Sequence, residues 1–227
     1  MKKLNALLHL LIIPLFAAEL ISRWNNFHTL EYLVKPWLMI WIIAFFWLNT
    51  RGENRSVFIY LAFIFSWTGD MFLMLAHRNE MLFYAGVGGF FLAQLSYIKH
   101  FLNTPAAIKE GYLIKFPAWT IPFILYLVAV LYLILGGMKG MMIPVILVYA
   151  LSLIVMSMSA LNRKELVDKL SFRLVFIGSV LFVISDSLIA LNKFYTDIPR
   201  ASFLIILTYF PAQYLIMQGL IGSNRNT

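Results

Sequence analysis

Eight long apolar runs, each bounded by charged or turn-forming residues, occupy most of this 227-residue chain. A helix that spans a bilayer needs roughly 20 mostly apolar residues, and the runs place such helices near residues 5–21, 32–49, 57–76, 81–101, 117–135, 141–160, 172–191 and 201–221. The composition agrees, with 62% hydrophobic and 12% charged residues, where soluble domains average about 45–50% and about 25%. The expected fold class is an all-α membrane protein, an eight-transmembrane-helix bundle forming a single integral-membrane domain over residues 1–227. A large soluble domain is excluded.

The net charge of +8 comes from 18 Lys and Arg scattered one to three at a time between the apolar runs. That spacing suits lipid headgroups and topology signals, and no nucleic-acid partner is expected. Lys2, Lys3, Arg51, Arg55, Lys99, Lys109, Lys115, Arg163, Lys164, Lys169, Arg173 and Arg225 fall on the side that holds both termini. Only Arg23, Lys35, Arg78, Lys139, Lys193 and Arg200 fall on the other. The imbalance predicts a multi-pass protein with both termini in the cytoplasm. Met1-Lys2-Lys3 and the apolar stretch to Ala18 also resemble a secretory signal, but Phe16 makes a poor cleavage site, and Glu19 and Arg23 follow as a normal helix border.

The longest connector, Leu102 to Phe116, contains Pro105 and Gly111 and divides the chain into possible halves, 1–101 and 117–227. With four spans each, the halves would enter from the same side as parallel repeats. Phe65-Ser66-Trp67-Thr68-Gly69-Asp70 in the third span echoes Phe182-Val183-Ile184-Ser185-Asp186 in the seventh.

Asp70 and Asp186 are the deepest acids in the spans. An unpaired charge near the membrane centre costs at least about 2.5–3.5 kcal/mol, so such residues usually face the interior of the bundle. The third and seventh spans run in the same direction, and each aspartate precedes its helix end, Ala76 or Asn192, by six residues. Both are expected about 9 Å below the non-cytoplasmic boundary, and a shared pocket would leave a proton donor beside a carboxylate, the division that general acid and base work requires. Alternatively, each aspartate separately bonds a serine or tyrosine and joins helices.

Ser66 and His77 share a helix face with Asp70, Ser179 and Lys193 bracket Asp186, and Tyr209 and Gln213 form an i, i+4 pair beside Pro211. Glu19 and Lys35 lie at the same membrane face as the aspartates, where they would bind a phosphate headgroup, balance the acids or anchor at the interface. His77 reads as a border residue, and His100 falls at the cytoplasmic end. Ala85, Gly89 and Ala93 repeat at four-residue spacing, which lets the fourth helix approach a neighbour closely. The chain has no cysteine, no glycine-rich phosphate loop, no Gly-x-Ser-x-Gly and no His-Glu-x-x-His, so neither a cofactor nor a metal is expected. Intramembrane aspartyl proteases use Gly-x-Gly-Asp, which Trp67-Thr68-Gly69-Asp70 does not match.

Four segments together resemble the lysoplasmalogenase-like YhhN family of eight-helix membrane proteins. They are Phe65 to Asp70, Gly86 to Tyr97 (Gly-Val-Gly-Gly-Phe-Phe-Leu-Ala-Gln-Leu-Ser-Tyr), Gly178 to Ser187, and Tyr209 to Ile216. Lys35-Pro36 looks like the family's early Lys-Pro. One departure is Gln94, where the family pattern favours histidine; an amide hydrogen-bonds but does not transfer a proton at neutral pH.

The resemblance implies hydrolysis of the vinyl ether of a lysoplasmalogen to a fatty aldehyde and a glycerophospho-alcohol. One aspartate would protonate the β-carbon and the other would stabilise the oxocarbenium ion and orient water. The candidate catalytic residues are Asp70 and Asp186; the candidate substrate contacts are Lys35, Glu19, Ser66, Gln94, Tyr97, Tyr209 and Gln213. The partner would be a lysophospholipid entering sideways from the bilayer. The alternative is a proton-coupled transporter of a small lipid or metabolite, since buried acids, prolines in spans and possible repeats are also transporter features. A non-catalytic lipid-binding relative is a third reading.

Overall fold

The computed structural model describes residues 2–50, 56–103 and 105–223, with the side chains of 2–7, 105 and 223 left aside. Arg51, Arg55 and Arg225 of the charge count lie outside the described residues, as do the side chains of Lys2 and Lys3. The described regular structure is entirely helical: α1 (Lys2–Asn25), α2 (His28–Asn49), α3 (Val57–Leu75), α4 (Glu80–Phe101), the short α5 (Pro105–Lys109) and α6 (Tyr112–Lys115), a 3-10 turn (Pro117–Thr120), α7 (Ile121–Leu135), α8 (Met142–Asn162), α9 (Lys169–Phe194) and α10 (Ala201–Ser223).

Seven helices among the described residues are long and apolar enough to cross a membrane: α2, α3, α4, α7 with its preceding turn, α8, α9 and α10. The protein is a multi-pass integral membrane protein. The eighth expected span falls within α1, a helix of 24 residues whose first side chains lie outside the described set, so the expected count of eight is met by seven here. The chain forms two compact units, residues 1–93 and 94–227, which divide within α4.

In the first unit, α1 and α2 form a hairpin. Its turn is closed by reciprocal bonds: the Ser22 hydroxyl donates to the Phe27 carbonyl at 2.8 Å and the Phe27 amide donates to the Ser22 carbonyl at 2.9 Å. Asn26 occupies the left-handed region between them, with φ 57°, a conformation its short polar side chain tolerates. Indole donors tie the helices together. Trp41 Nε1 donates to the Leu8 carbonyl at 3.0 Å and Trp67 Nε1 to the Pro36 carbonyl at 3.2 Å, which satisfies groups that hydrocarbon could not. The small residues of α4 bring its backbone against α3, as their spacing predicts: a Cβ on Gly89 would lie 2.9 Å from the Gly69 amide nitrogen. That contact sits one residue from Asp70.

In the second unit, α9 and α10 pack along much of their length. A Cβ on Gly178 would meet the Ala212 carbonyl oxygen at 2.7 Å. The α9 helix outruns its expected limits of 172 and 191 at both ends. Asp168 caps its start, accepting from the amides of Leu170 at 2.8 Å and Ser171 at 3.2 Å. At the other end Asn192 remains helical, and its side chain accepts from the Ile198 amide at 2.9 Å. The expected connector 102–116 contains α5 and α6, both held by Asn162, which donates to the Ala107 carbonyl at 2.7 Å and accepts from the Leu113 amide at 2.9 Å. A Cβ at Gly111 would run into the Asn162 side-chain amide, which would have to give up these bonds to make room.

Overpacking a close contact typically costs about 1–3 kcal/mol. Gly89→Ala should therefore lower the melting temperature in detergent by several degrees, whereas Gly88→Ala, whose Cβ would meet nothing within 4 Å, should leave it unchanged or raise it. Equal shifts in the two variants would contradict the close approach of α3 and α4.

Candidate functional site

Asp70 is buried near the end of α3, and the Lys35 ammonium lies 3.1 Å from its Oδ1. Lys35 immediately precedes Pro36 inside α2. Proline has no N–H to offer the preceding turn, so Pro36 leaves one carbonyl of that turn without its usual helical donor beside the ion pair. On α1, Glu19 is wholly buried and receives Arg23 Nε on Oε1 at 2.8 Å. The same guanidinium reaches Glu31 Oε1 through Nη2 at 2.7 Å. His28 Nδ1 approaches Glu31 Oε2 at 3.6 Å. The Lys35 charge also acts on the Glu19 carboxylate.

Three carboxylates and two cations thus share one end of α1, α2 and α3, leaving one negative charge in excess. Of the roles expected for Lys35, balancing the acids is the one this geometry displays. Glu19 and Arg23 form a buried ion pair where a helix border was expected. The second Glu19 oxygen, Oε2, has no hydrogen-bond partner among the described residues.

Asp186 lies on α9 in a different setting. Tyr149 of α8 donates its hydroxyl to Oδ2 at 2.5 Å, and Gln94 Nε2 donates to the same oxygen at 3.4 Å. The Ser152 hydroxyl donates to Gln94 Oε1. Because that oxygen faces a donor, the amide nitrogen must face the carboxyl group, so Gln94 serves as an oriented neutral donor. On the adjoining residue, the Ser187 hydroxyl accepts from the Tyr126 hydroxyl at 2.9 Å and donates to the Val183 carbonyl at 2.8 Å.

The other expected contacts are distributed differently. Tyr97 and Gln213, both buried, pair with each other, the tyrosine hydroxyl donating to Oε1 at 2.6 Å. Gln213 therefore faces α4, while Tyr209 sets its ring edge-on to Phe182 at 5.8 Å. Ser66 is wholly buried one turn before Asp70, and Ser179 pairs with Ser157 at 3.1 Å. His77 lies past the end of α3, exposed, with the Tyr32 hydroxyl at 3.4 Å. The helix ends differ from those expected: α3 stops at Leu75 and α9 continues to Phe194. Asp70 is thus five residues from its helix end and Asp186 eight, about 7.5 Å and about 12 Å at the α-helical rise.

Sequence reasoning missed Arg23, Glu31, Tyr149 and Ser152. The i, i+4 spacing of Glu19 and Arg23 and the i, i+3 spacing of Tyr149 and Ser152 were the available signals.

Buried aspartates held by donors from neighbouring helices, in a chain of long apolar helices, define a multi-pass membrane protein with intramembrane acidic sites. The chain belongs to the YhhN family, which matches residues 30–220, and the family resemblance read from the sequence is borne out. It is similar to the lysoplasmalogenase TMEM86A of Bos taurus, with 27% identity over 191 residues that cover 82% of this chain and 74% of that relative. No solved structure matches the chain. Every site residue above except Glu19, Arg23 and His28 falls within the family match.

Removing one partner of a buried ion pair costs about 3–5 kcal/mol, because the other charge is left uncompensated. Lys35→Met should accordingly lower the melting temperature in detergent by well over 5 °C, and the double variant Lys35→Met, Asp70→Asn should recover much of the loss. Additive losses in the double variant would show that the two side chains do not form a pair in the folded protein.

Proposed function

We propose that this protein is a lysoplasmalogenase-like membrane hydrolase that cleaves the vinyl ether bond of lysoplasmalogens to a fatty aldehyde and a glycerophospho-alcohol. The observation that carries the reading is the presence of two buried aspartates with unlike partners, an ammonium beside Asp70 and hydroxyl and amide donors on Asp186, within a YhhN-family chain related to a lysoplasmalogenase. A pair of unlike carboxyl groups suits vinyl ether cleavage. A carboxylic acid gives its proton to the β-carbon, the alkene electron pair forms the new C–H bond, and an oxocarbenium ion results. Water adds to that cation and loses a proton to a carboxylate, and the hemiacetal collapses to aldehyde and alcohol.

The ion pair with Lys35 supports Asp70 as the carboxylate that steadies the cation and takes the water proton. Asp186 is then the proton donor, with Tyr149 and Gln94 orienting its carboxyl group through Oδ2. Ser66, Tyr97, Tyr209 and Gln213 shape the surroundings of the acids, and Glu19 and Lys35 lie where a polar headgroup would be met. We further propose that both termini are cytoplasmic, as the Lys and Arg distribution favours.

Incubated with alkenyl, alkyl and acyl lysolipids, the purified protein should release aldehyde from the alkenyl lipids alone, detected by mass spectrometry. Asp186→Asn and the double variant Lys35→Met, Asp70→Asn should each lose at least about 100-fold of that activity, the usual weight of a general acid or base, while eluting as folded protein. Full activity in both would remove the mechanism, and transport of lipid without turnover in proteoliposomes would mark a carrier instead. For topology, the cysteine-free chain suits single-cysteine labelling. Lys139→Cys should react with an impermeant maleimide on intact cells and Lys109→Cys only after permeabilisation; the reverse pattern would invert the orientation.

A further inference from the structure

Outside the polar contacts just described, the second unit contains an apolar groove of about 240 Å³ between α7, α8 and α9. Phe123 and Tyr126 line it from α7, Ile154 from α8, and Val180, Val183 and Ile184 from α9. All three helices are long and apolar enough to cross a membrane, and the lining suits hydrocarbon.

Its position relative to Asp186 selects which hydrocarbon. Val183 and Val180 precede Asp186 on α9 by three and six residues, about 4.5 Å and about 9 Å along the axis. They lie near the middle of a helix that runs from Lys169 to Phe194, and Asp186 lies nearer its end. The two are also joined. Tyr126 lines the groove, and its hydroxyl is held by Ser187, the residue next to Asp186. A single-chain lipid with its reacting carbon at Asp186 and its head toward the membrane face would have its tail leading into this groove.

We propose that the groove is the tail subsite of the enzyme, taking the alkyl portion of a single-chain alkenyl lipid, and that Val180 and Val183 set the tail length accepted. The assignment rests on the hydrolase reading, since it uses Asp186 as the reacting end. The tail reaches the groove from the bilayer without crossing water. Close packing against the groove walls holds a long tail more firmly than a short one and keeps its first carbons in line, so that the vinyl ether is presented to the acid.

The test compares chain lengths. Val180→Trp fills the groove from a half-buried position, and Val180→Ala enlarges it. With alkenyl lysolipids of eight and sixteen tail carbons, Val180→Trp should lower kcat/KM for the long substrate about tenfold or more, the lower end of what a hydrophobic pocket discriminates, and leave the short one within about twofold. Val180→Ala should leave both near wild type. Equal losses on both substrates, or no loss on either, would overturn the assignment.

A second measurement needs no turnover. Saturated ether lysolipids, which cannot be cleaved, should raise the melting temperature of the wild type more with sixteen tail carbons than with eight, and Val180→Trp should abolish that difference. If no lipid yields aldehyde but this length dependence and its loss are seen, the hydrolase reading fails while the tail site stands. If aldehyde forms and the length dependence is the same in Val180→Trp, the tail site fails alone.

Discussion

Hydrocarbon gives a charged or hydrogen-bonding group nothing to bond to, so every such group placed in a membrane must find its partner within the protein. This constraint organises both units. In the first, Asp70 is met by Lys35 and Glu19 by Arg23. In the second, Asp186 is met by Tyr149 and Gln94, and Gln213 by Tyr97. Tryptophan indoles follow the same rule by donating to helix carbonyls. The polar contacts that would serve chemistry are thus also the contacts that make these helices compatible with a bilayer, and a variant that removes one changes stability together with any activity.

Close backbone contacts position these polar groups. Gly89 of α4 lies against Gly69, the residue before Asp70, which fixes the height and rotation of α3 at the acid. Gly178 of α9 lies against the Ala212 carbonyl, two helical turns before Asp186 on one helix and one residue before Gln213 on the other. Glycines therefore set where the polar side chains stand, and the donors that surround those side chains make them tolerable there.

The helices were legible because length and apolarity alone define a membrane span. The ends of α9 were not, since they depend on side-chain caps from Asp168 and Asn192, and hydropathy does not register a cap. Nor were α5 and α6 visible, because they are held by Asn162, some 50 residues away in the chain. Asp70, Asp186, Lys35, Gln94, Tyr97 and Gln213 stood out as polar residues in apolar surroundings or in family segments. Which of them meet is decided by helix rotation, and this is why the pairing of Gln213 with Tyr97 of another helix could not be read from spacing along the chain. Tyr149 passed unnoticed because a tyrosine in a span is unremarkable until its hydroxyl is seen to end on a carboxylate.

The α1–α2 hairpin has a consequence for assembly. Glu19, Arg23, Glu31 and Lys35 are two acids and two bases carried by a single pair of consecutive helices, so their charges cancel before any later helix is synthesised. These four side chains can enter the bilayer together as an electrically neutral group. When α3 arrives with Asp70, that aspartate claims Lys35, and the balance of the earlier four is broken by one unit of negative charge. The cluster thus ends its assembly with one acid more than any of its early intermediates had to carry.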